Sequence, residues 1–177
     1  FTRQKDDPYS LSYNSIYTIF QDSKNRIWVG CYGGGLNLIE ETQEGDIRFL
    51  HSGNKLTGYS KDRFAKVRYI AEANQVLLVG TTEGLLTFSS EFTQPEQIEF
   101  YRNIRIPDKV SSLCSNDVIY IYTDSRKDTY VLSFTGGLNK ILSENLLSNE
   151  IEFKTYTTQN GLPSDLVESM IEDNKGN

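Results

Sequence analysis

Residues 11–39 read LSYNSIYTIFQDSKNRIWVGCYGGGLNLI, and residues 113–141 read LCSNDVIYIYTDSRKDTYVLSFTGGLNKI. The two stretches align without a gap at an offset of 102 residues. Eleven of the 29 positions are identical: Leu11/Leu113, Asn14/Asn116, Ile19/Ile121, Asp22/Asp124, Ser23/Ser125, Val29/Val131, Gly34/Gly136, Gly35/Gly137, Leu36/Leu138, Asn37/Asn139 and Ile39/Ile141. Trp28/Tyr130 and Tyr32/Phe134 are conservative pairs. Midway between them lies a weaker copy, VRYIAEANQVLLVGTTEGLLTF (67–88). A fourth copy opens at GLPSDLVESMIEDNKGN (161–177), where Leu162, Val167, Met170 and Asp173 match Leu11, Ile16, Ile19 and Asp22. The period is about 50 residues, a spacing that marks a repeat architecture.

Each period reads as four short strands. The first is SIYTIFQ, VIYIYT or LVESMIE; the second RIWVG, VLLVG or TYVLSF; the third GLNLI, GLLTF or GLNKI; the fourth IRFLH, IEFYR or IEFKTY. Eleven Tyr and nine Phe fit this content, since aromatics favour strands. The nearly unbroken apolar run Val118–Tyr122 predicts a strand buried on both faces. Four antiparallel strands in about 50 residues are the pattern of a β-propeller blade. The chain is therefore expected to be all-β, a partial propeller of about three to three and a half blades. The blades fall near 11–58, 59–109 and 110–160, with 161–177 opening the next and a remnant of an earlier fourth strand near Phe1. Propellers close with four to eight blades, and open strand edges invite association. The expected partners are thus the remaining blades of a longer polypeptide or a second copy of this chain.

The recurring polar and glycine positions predict turns. Asp22, Asp124 and Asp173 each open a short segment between strands one and two, where Asp supplies turn hydrogen bonds. The weaker copy has Ala73 there, so its hairpin should be less well specified. Gly34-Gly35 and Gly136-Gly137 precede strand three, where glycine permits positive φ and close approach of another backbone. Asn14 and Asn116 are expected to close the turn entering strand one.

The bulk composition excludes several classes. With 177 residues the chain is long enough for a real core. A net charge of −6 with scattered Lys and Arg argues against nucleic acid as partner. No apolar stretch is long enough to predict membrane insertion. The chain opens at Phe1 with neither an initiator Met nor a basic-then-apolar leader, so a signal peptide is expected to be absent from this stretch. Cys31 and Cys114 lack CxxC spacing and stand at different places in the repeat; they read as free thiols ahead of a disulfide. His51, the only histidine, removes His-based zinc sites and reads as a solvated loop residue after strand four. No Walker loop, GxSxG or HExxH occurs. No catalytic residue, metal or cofactor is expected of this stretch.

The first copy resembles the two-component regulator propeller repeat, written loosely L-x-x-N-x-V-x-x-I-x-x-D-x-x-G-x-L-W-V-G-T-x-x-G-L. Asn14, Ile16, Ile19, Asp22, Ile27, Trp28, Val29, Gly30, Gly35 and Leu36 fill its marks. QNGLPSDLVESMIEDNKGN (159–177) fits it again. Cys31 replaces the usual Thr, and copies two and three lack the Trp. The resemblance implies a sensor segment, facing the periplasm, of a hybrid two-component histidine kinase regulating transcription by phosphorelay. It implies glycan fragments as ligand and homodimerisation as the coupling to the kinase. A propeller used only for protein–protein contact is the alternative, and a propeller-fold lyase or glycosidase ranks last.

Trp28 could stack on a sugar, but the motif puts it between blades, where core packing is favoured. The candidate ligand contacts are the residues entering strand one, because inner strands line a propeller's central channel and their ends reach its mouth. These are Tyr13, Asn14, Lys66, Arg68, Asn116 and Asp165, with turn formation as their competing role. Asp22, Trp28, Gly35, Asp124, Gly137 and Asp173 are read as structural repeat positions.

Overall fold

The computed structural model describes residues 1–176; Asn177, the last residue of the fourth copy, lies outside the described residues. Three four-stranded antiparallel sheets follow one another along the chain, each a simple meander. Blade one holds β1 (Ile16–Gln21), β2 (Ile27–Cys31), β3 (Gly35–Glu41) and β4 (Ile47–His51). A four-residue helix, α1 (Lys61–Phe64), leads into blade two: β5 (Val67–Ala73), β6 (Val76–Thr81), β7 (Gly84–Ser89) and β8 (Tyr101–Asn103). Blade three holds β9 (Val118–Thr123), β10 (Thr129–Ser133), β11 (Leu138–Ile141) and β12 (Phe153–Tyr156). The chain is all-β, a partial propeller whose first strands β1, β5 and β9 lie side by side.

Strand alternation gives each sheet two faces, and the blades stack through them. Trp28, Leu36, Leu38 and Leu50 of blade one meet Ile70, Leu77, Val79, Leu86 and Phe88 of blade two. Trp28 is fully buried between the blades, its ring edge-on to Phe88 at 5.1 Å. The opposite face of blade two, with Ala73, Val76, Leu78 and Leu85, meets Val118, Ile121, Val131 and Phe153 of blade three. Every residue of β6 is buried as a result. A third cluster, Leu11, Val29, Cys31 and Phe49, covers blade one's far face, where the Phe1 ring stands edge-on to Phe49 at 5.4 Å.

Several expectations are corrected. Residues 1–9 hold no strand-four remnant. The backbone N–H groups of Arg3 and Gln4 donate instead to the Asn14 side chain and Ser10 Oγ. LVESMIE (166–172) forms no strand, since no segment among the described residues pairs with it. It lies along β9, held by the Tyr120 hydroxyl on the Met170 carbonyl and by the Glu172 N–H on the Tyr122 hydroxyl. That one-sided cover leaves only Val118 and Ile121 of β9 buried. In blade two, IEFYR gives way to a shorter β8, because Pro95–Gln97 form a 3₁₀ turn and Ile98 drops into the core. The hairpin with Ala73 is tight: Ala73 pairs with Val76 across Asn74 (φ 51°) and Gln75 (φ 63°). Two left-handed residues make a turn of the I′ kind, whose twist suits a hairpin without an Asp.

His51 is not in a loop. It ends β4, half-buried, and its Nδ1 accepts the Gly53 N–H at 3.1 Å. Cys31 and Cys114 are both free thiols. They sit in matching nests around a buried asparagine. Asn37 accepts the Ser12 N–H and donates to Val29 O and Cys31 Sγ. Asn139 accepts the Cys114 N–H and donates to Val131 O, Cys114 Sγ and Ser133 Oγ. Blade one thus carries Ser12 with Cys31 where blade three carries Cys114 with Ser133, the same pair exchanged.

Candidate ligand-binding surface

The repeated aspartates are built into turns. Asp22 Oδ1 accepts from the backbone N–H groups of Lys24 (3.0 Å) and Arg26 (2.9 Å). Its Oδ2 accepts from Arg26 Nε (2.7 Å) and Trp28 Nε1 (2.8 Å). Burial pushes this carboxyl's pKa up, but the hydrogen bonds from Trp28 and Arg26 outweigh it and hold it below the ordinary value. Asp124 Oδ1 accepts from Arg126 N–H and Asp128 N–H, and Asp173 Oδ1 from Lys175 N–H. Gly35 (φ 76°) and Gly137 (φ 98°) are left-handed, and a Cβ on Gly137 would collide with the Tyr156 carbonyl.

The first strands carry a feature that the repeat alone does not show. In β1, Ile16 pairs with Cys31 and Thr18 with Gly30, leaving Tyr17 as an extra residue. In β5, Val67 pairs with Thr81 and Tyr69 with Gly80, leaving Arg68. In β9, Val118 pairs with Ser133 and Tyr120 with Leu132, leaving Ile119. A bulge therefore sits at the same place in all three blades, and bulges re-aim the side chain they carry.

Two of the re-aimed side chains, Tyr17 and Arg68, belong to a row across the blades that Asp117 continues on blade three. The Tyr17 ring stacks on Tyr32 at 4.7 Å with 21° between planes. Lys66 Nζ stands 5.4 Å and Arg68 Cζ 5.5 Å from the centre of the Tyr32 ring. Arg68 is pinned to blade three by two bonds to the Asp117 carboxylate, 2.5 and 2.9 Å. The backbone repeats this order: the carbonyls of Ser15, Lys66 and Asp117 accept the N–H groups of Tyr32, Thr82 and Phe134. Tyr13 lies against Gly33, where a Cβ would stand 2.8 Å from its ring. Tyr17 is 55% exposed and Tyr13 41%. Lys66 is exposed and makes no ion pair among the described residues. An open aromatic face backed by cations can hold the apolar face of a sugar ring and its polar rim together.

Of the six candidates, the structure brings Lys66 and Arg68 into this row and puts Tyr13 on the neighbouring turn. The Asn116 carbonyl accepts the Val118 N–H at the entry to β9, while the side chains of Asn14 and Asn116 reach upstream. Their Oδ1 atoms accept the N–H of Arg3 (2.6 Å) and Arg105 (2.7 Å), bracing the segment upstream of each blade. Asp165 stands apart: its carboxylate accepts from the Thr158 N–H at 2.6 Å and its carbonyl from Gly137 N–H. Tyr17, Tyr32 and Asp117 belong to the row but were not among the candidates. Only strand register reveals a bulge, although the Tyr17–Arg68–Ile119 spacing was there to be read. No three His, Cys, Asp or Glu side chains converge as a metal site among the described residues. No helix among them is long and apolar enough to cross a membrane.

Residues 10–33 match the family described as two component regulator propeller. No curated protein matches the sequence significantly. Among solved structures, the fold is shared with the extracellular domain of BT3049 from B. thetaiotaomicron, assigned to the hybrid two component systems. There the TM-score is 0.63 at 18% identity over 95% of this chain and 20% of that one. It is shared too with the extracellular domain of BT4673 from B. thetaiotaomicron, likewise assigned: TM-score 0.67, 23% identity, 92% of this chain and 22% of that one. PorZ, a surface component of the type-IX secretion system of Porphyromonas gingivalis, matches with TM-score 0.64 at 15% identity over 90% of this chain and 23% of its own. The chain spans about a fifth of the length of these structures.

Proposed function

We propose that this chain is a ligand-sensing segment of the periplasmic propeller of a hybrid two-component histidine kinase, and that it contacts an oligosaccharide along the bulge row. The observation that carries the reading is the Tyr17–Tyr32 stack with Lys66 and Arg68 against it, at the place where three blades each re-aim one side chain. The match of residues 10–33 to the regulator propeller supports the signalling context. The segment binds; the phosphorelay and transcriptional control belong to the parent.

Calorimetric titration of the chain with a broad oligosaccharide panel tests this. At least one glycan binds, and Tyr17→Ala weakens it about tenfold, the loss of one aromatic contact worth about 1 kcal/mol or slightly more. Absence of binding across the panel, or unchanged affinity in Tyr17→Ala, sinks the reading.

A second reading, docking of further blades or of a second copy, is favoured by one contrast. Ile121, on the blade-three face that blade two covers, is 3% exposed, while its counterpart Ile19 on blade one is 66% exposed.

A further inference from the structure

Away from the bulge row, the N-terminal segment crosses the end of β4 beside α1 and borders a half-open cavity of about 220 Å³. Arg3, Lys5 and Lys61 line it, with Asp7 as the one carboxylate and His51 in the wall. None of the three cations makes an ion pair among the described residues. Asp7 is engaged by the backbone, its Oδ1 accepting the Tyr9 N–H at 2.9 Å. In a chain of net charge −6, three free cations around one occupied carboxylate reverse the general balance.

His51 registers that field. Burial first, then the charges of Lys61 and Arg3, hold its pKa below the ordinary value, against the opposite pull of the Ser10 and Pro8 carbonyls. Blade three has an equivalent cavity, about 340 Å³, at the same place in the repeat. It offers Arg105 and Lys109 against Asp108 and no histidine. The fold therefore builds the cavity twice with an excess of cations each time, and blade one adds a third cation and the histidine.

We infer that the blade-one cavity binds an anionic group, the sulfate or carboxylate of a ligand, through Arg3, Lys5 and Lys61. Several waters' worth of space, at about 30 Å³ each, accommodates a tetrahedral oxyanion or a sugar carboxylate. The inference stands apart from the glycan reading, since a free oxyanion would satisfy the same groups.

The sole histidine is a built-in reporter. Its ring C–H signals are followed by NMR through a pH titration of the whole chain, in sodium sulfate and in sodium chloride of equal ionic strength. Bound sulfate raises the His51 midpoint by about one pH unit, as an opposite charge nearby does, while chloride raises it less by screening alone. Lys61→Met raises the midpoint without added salt, because a repelling charge is gone, and removes the excess due to sulfate. Lys109→Met, in the blade-three cavity, changes neither. Equal midpoints in the two salts, or a sulfate excess that survives Lys61→Met, overturn the inference. Glucuronate and a sulfated disaccharide, run as further arms, separate a sugar-borne anion from a free one.

Discussion

Two oxygens of Asp22 satisfy four donors, one of them the indole of the fully buried Trp28. Asp22→Ala strands that indole N–H and takes one partner from the Arg26 guanidinium, which keeps the Ser90 carbonyl and the Phe92 ring, at a cost of about 2–4 kcal/mol, read by urea denaturation. Asp124→Ala costs less, because Tyr130 stands where Trp28 does and the exposed Arg126 comes no nearer to the carboxylate than 3.5 Å, against 2.7 Å for Arg26. The folded-state pKa of Asp22 lies below its unfolded value. Its stabilisation is therefore full above the unfolded value and disappears as pH falls through the folded one. The gap between wild type and Asp22→Ala closes at acid pH accordingly. At this scale the repeat was informative: identical Asp and Gly positions announced turns, and the single Trp of the first copy a place between blades. It did not announce that the side-chain acceptors of Asn14 and Asn116 serve a segment eleven positions upstream, a distance that no local motif encodes.

Left-handed glycines separate two causes of strain within the blade. Gly45 (φ 86°) has open space where a Cβ would go, so Gly45→Ala costs only the backbone penalty of about 1–2 kcal/mol. Gly137 (φ 98°) adds a collision with the Tyr156 carbonyl between β11 and β12. Gly137→Ala should cost at least twice as much, measured as the shift in urea midpoint. Strand positions were legible from alternation and glycine. The bulges were not, because an extra residue in a short apolar run leaves no mark until its partner strand fixes the register. The tight Asn74-Gln75 hairpin escaped for a related reason: its turn relies on two left-handed residues rather than on the Asp that the other copies share.

Blade two packs against a neighbouring blade on both faces, blade one on one face only, and this asymmetry governs the whole molecule. Ile121→Lys puts a charge into a closed interface and should unfold blade three. Ile19→Lys should be tolerated and should reduce self-association if a second copy docks there. Analytical ultracentrifugation and circular dichroism together distinguish these outcomes, and an Ile19→Lys variant that unfolds contradicts the account. The number of blades and their connectivity were legible from a period of about 50 residues. What covers the outer faces was not, because a repeat describes what each blade has in common and not which blade ends the stack.

The path of the backbone sets how the molecule responds to load. It leaves each blade on the fourth strand, farthest from β1, β5 and β9, and re-enters the next on the first. A pull on the two ends therefore peels sheets one by one, in the manner of a zipper. The outer blades should give way before the doubly covered one, so a force-extension trace should show discrete steps of roughly 170 Å for each blade of about 50 residues.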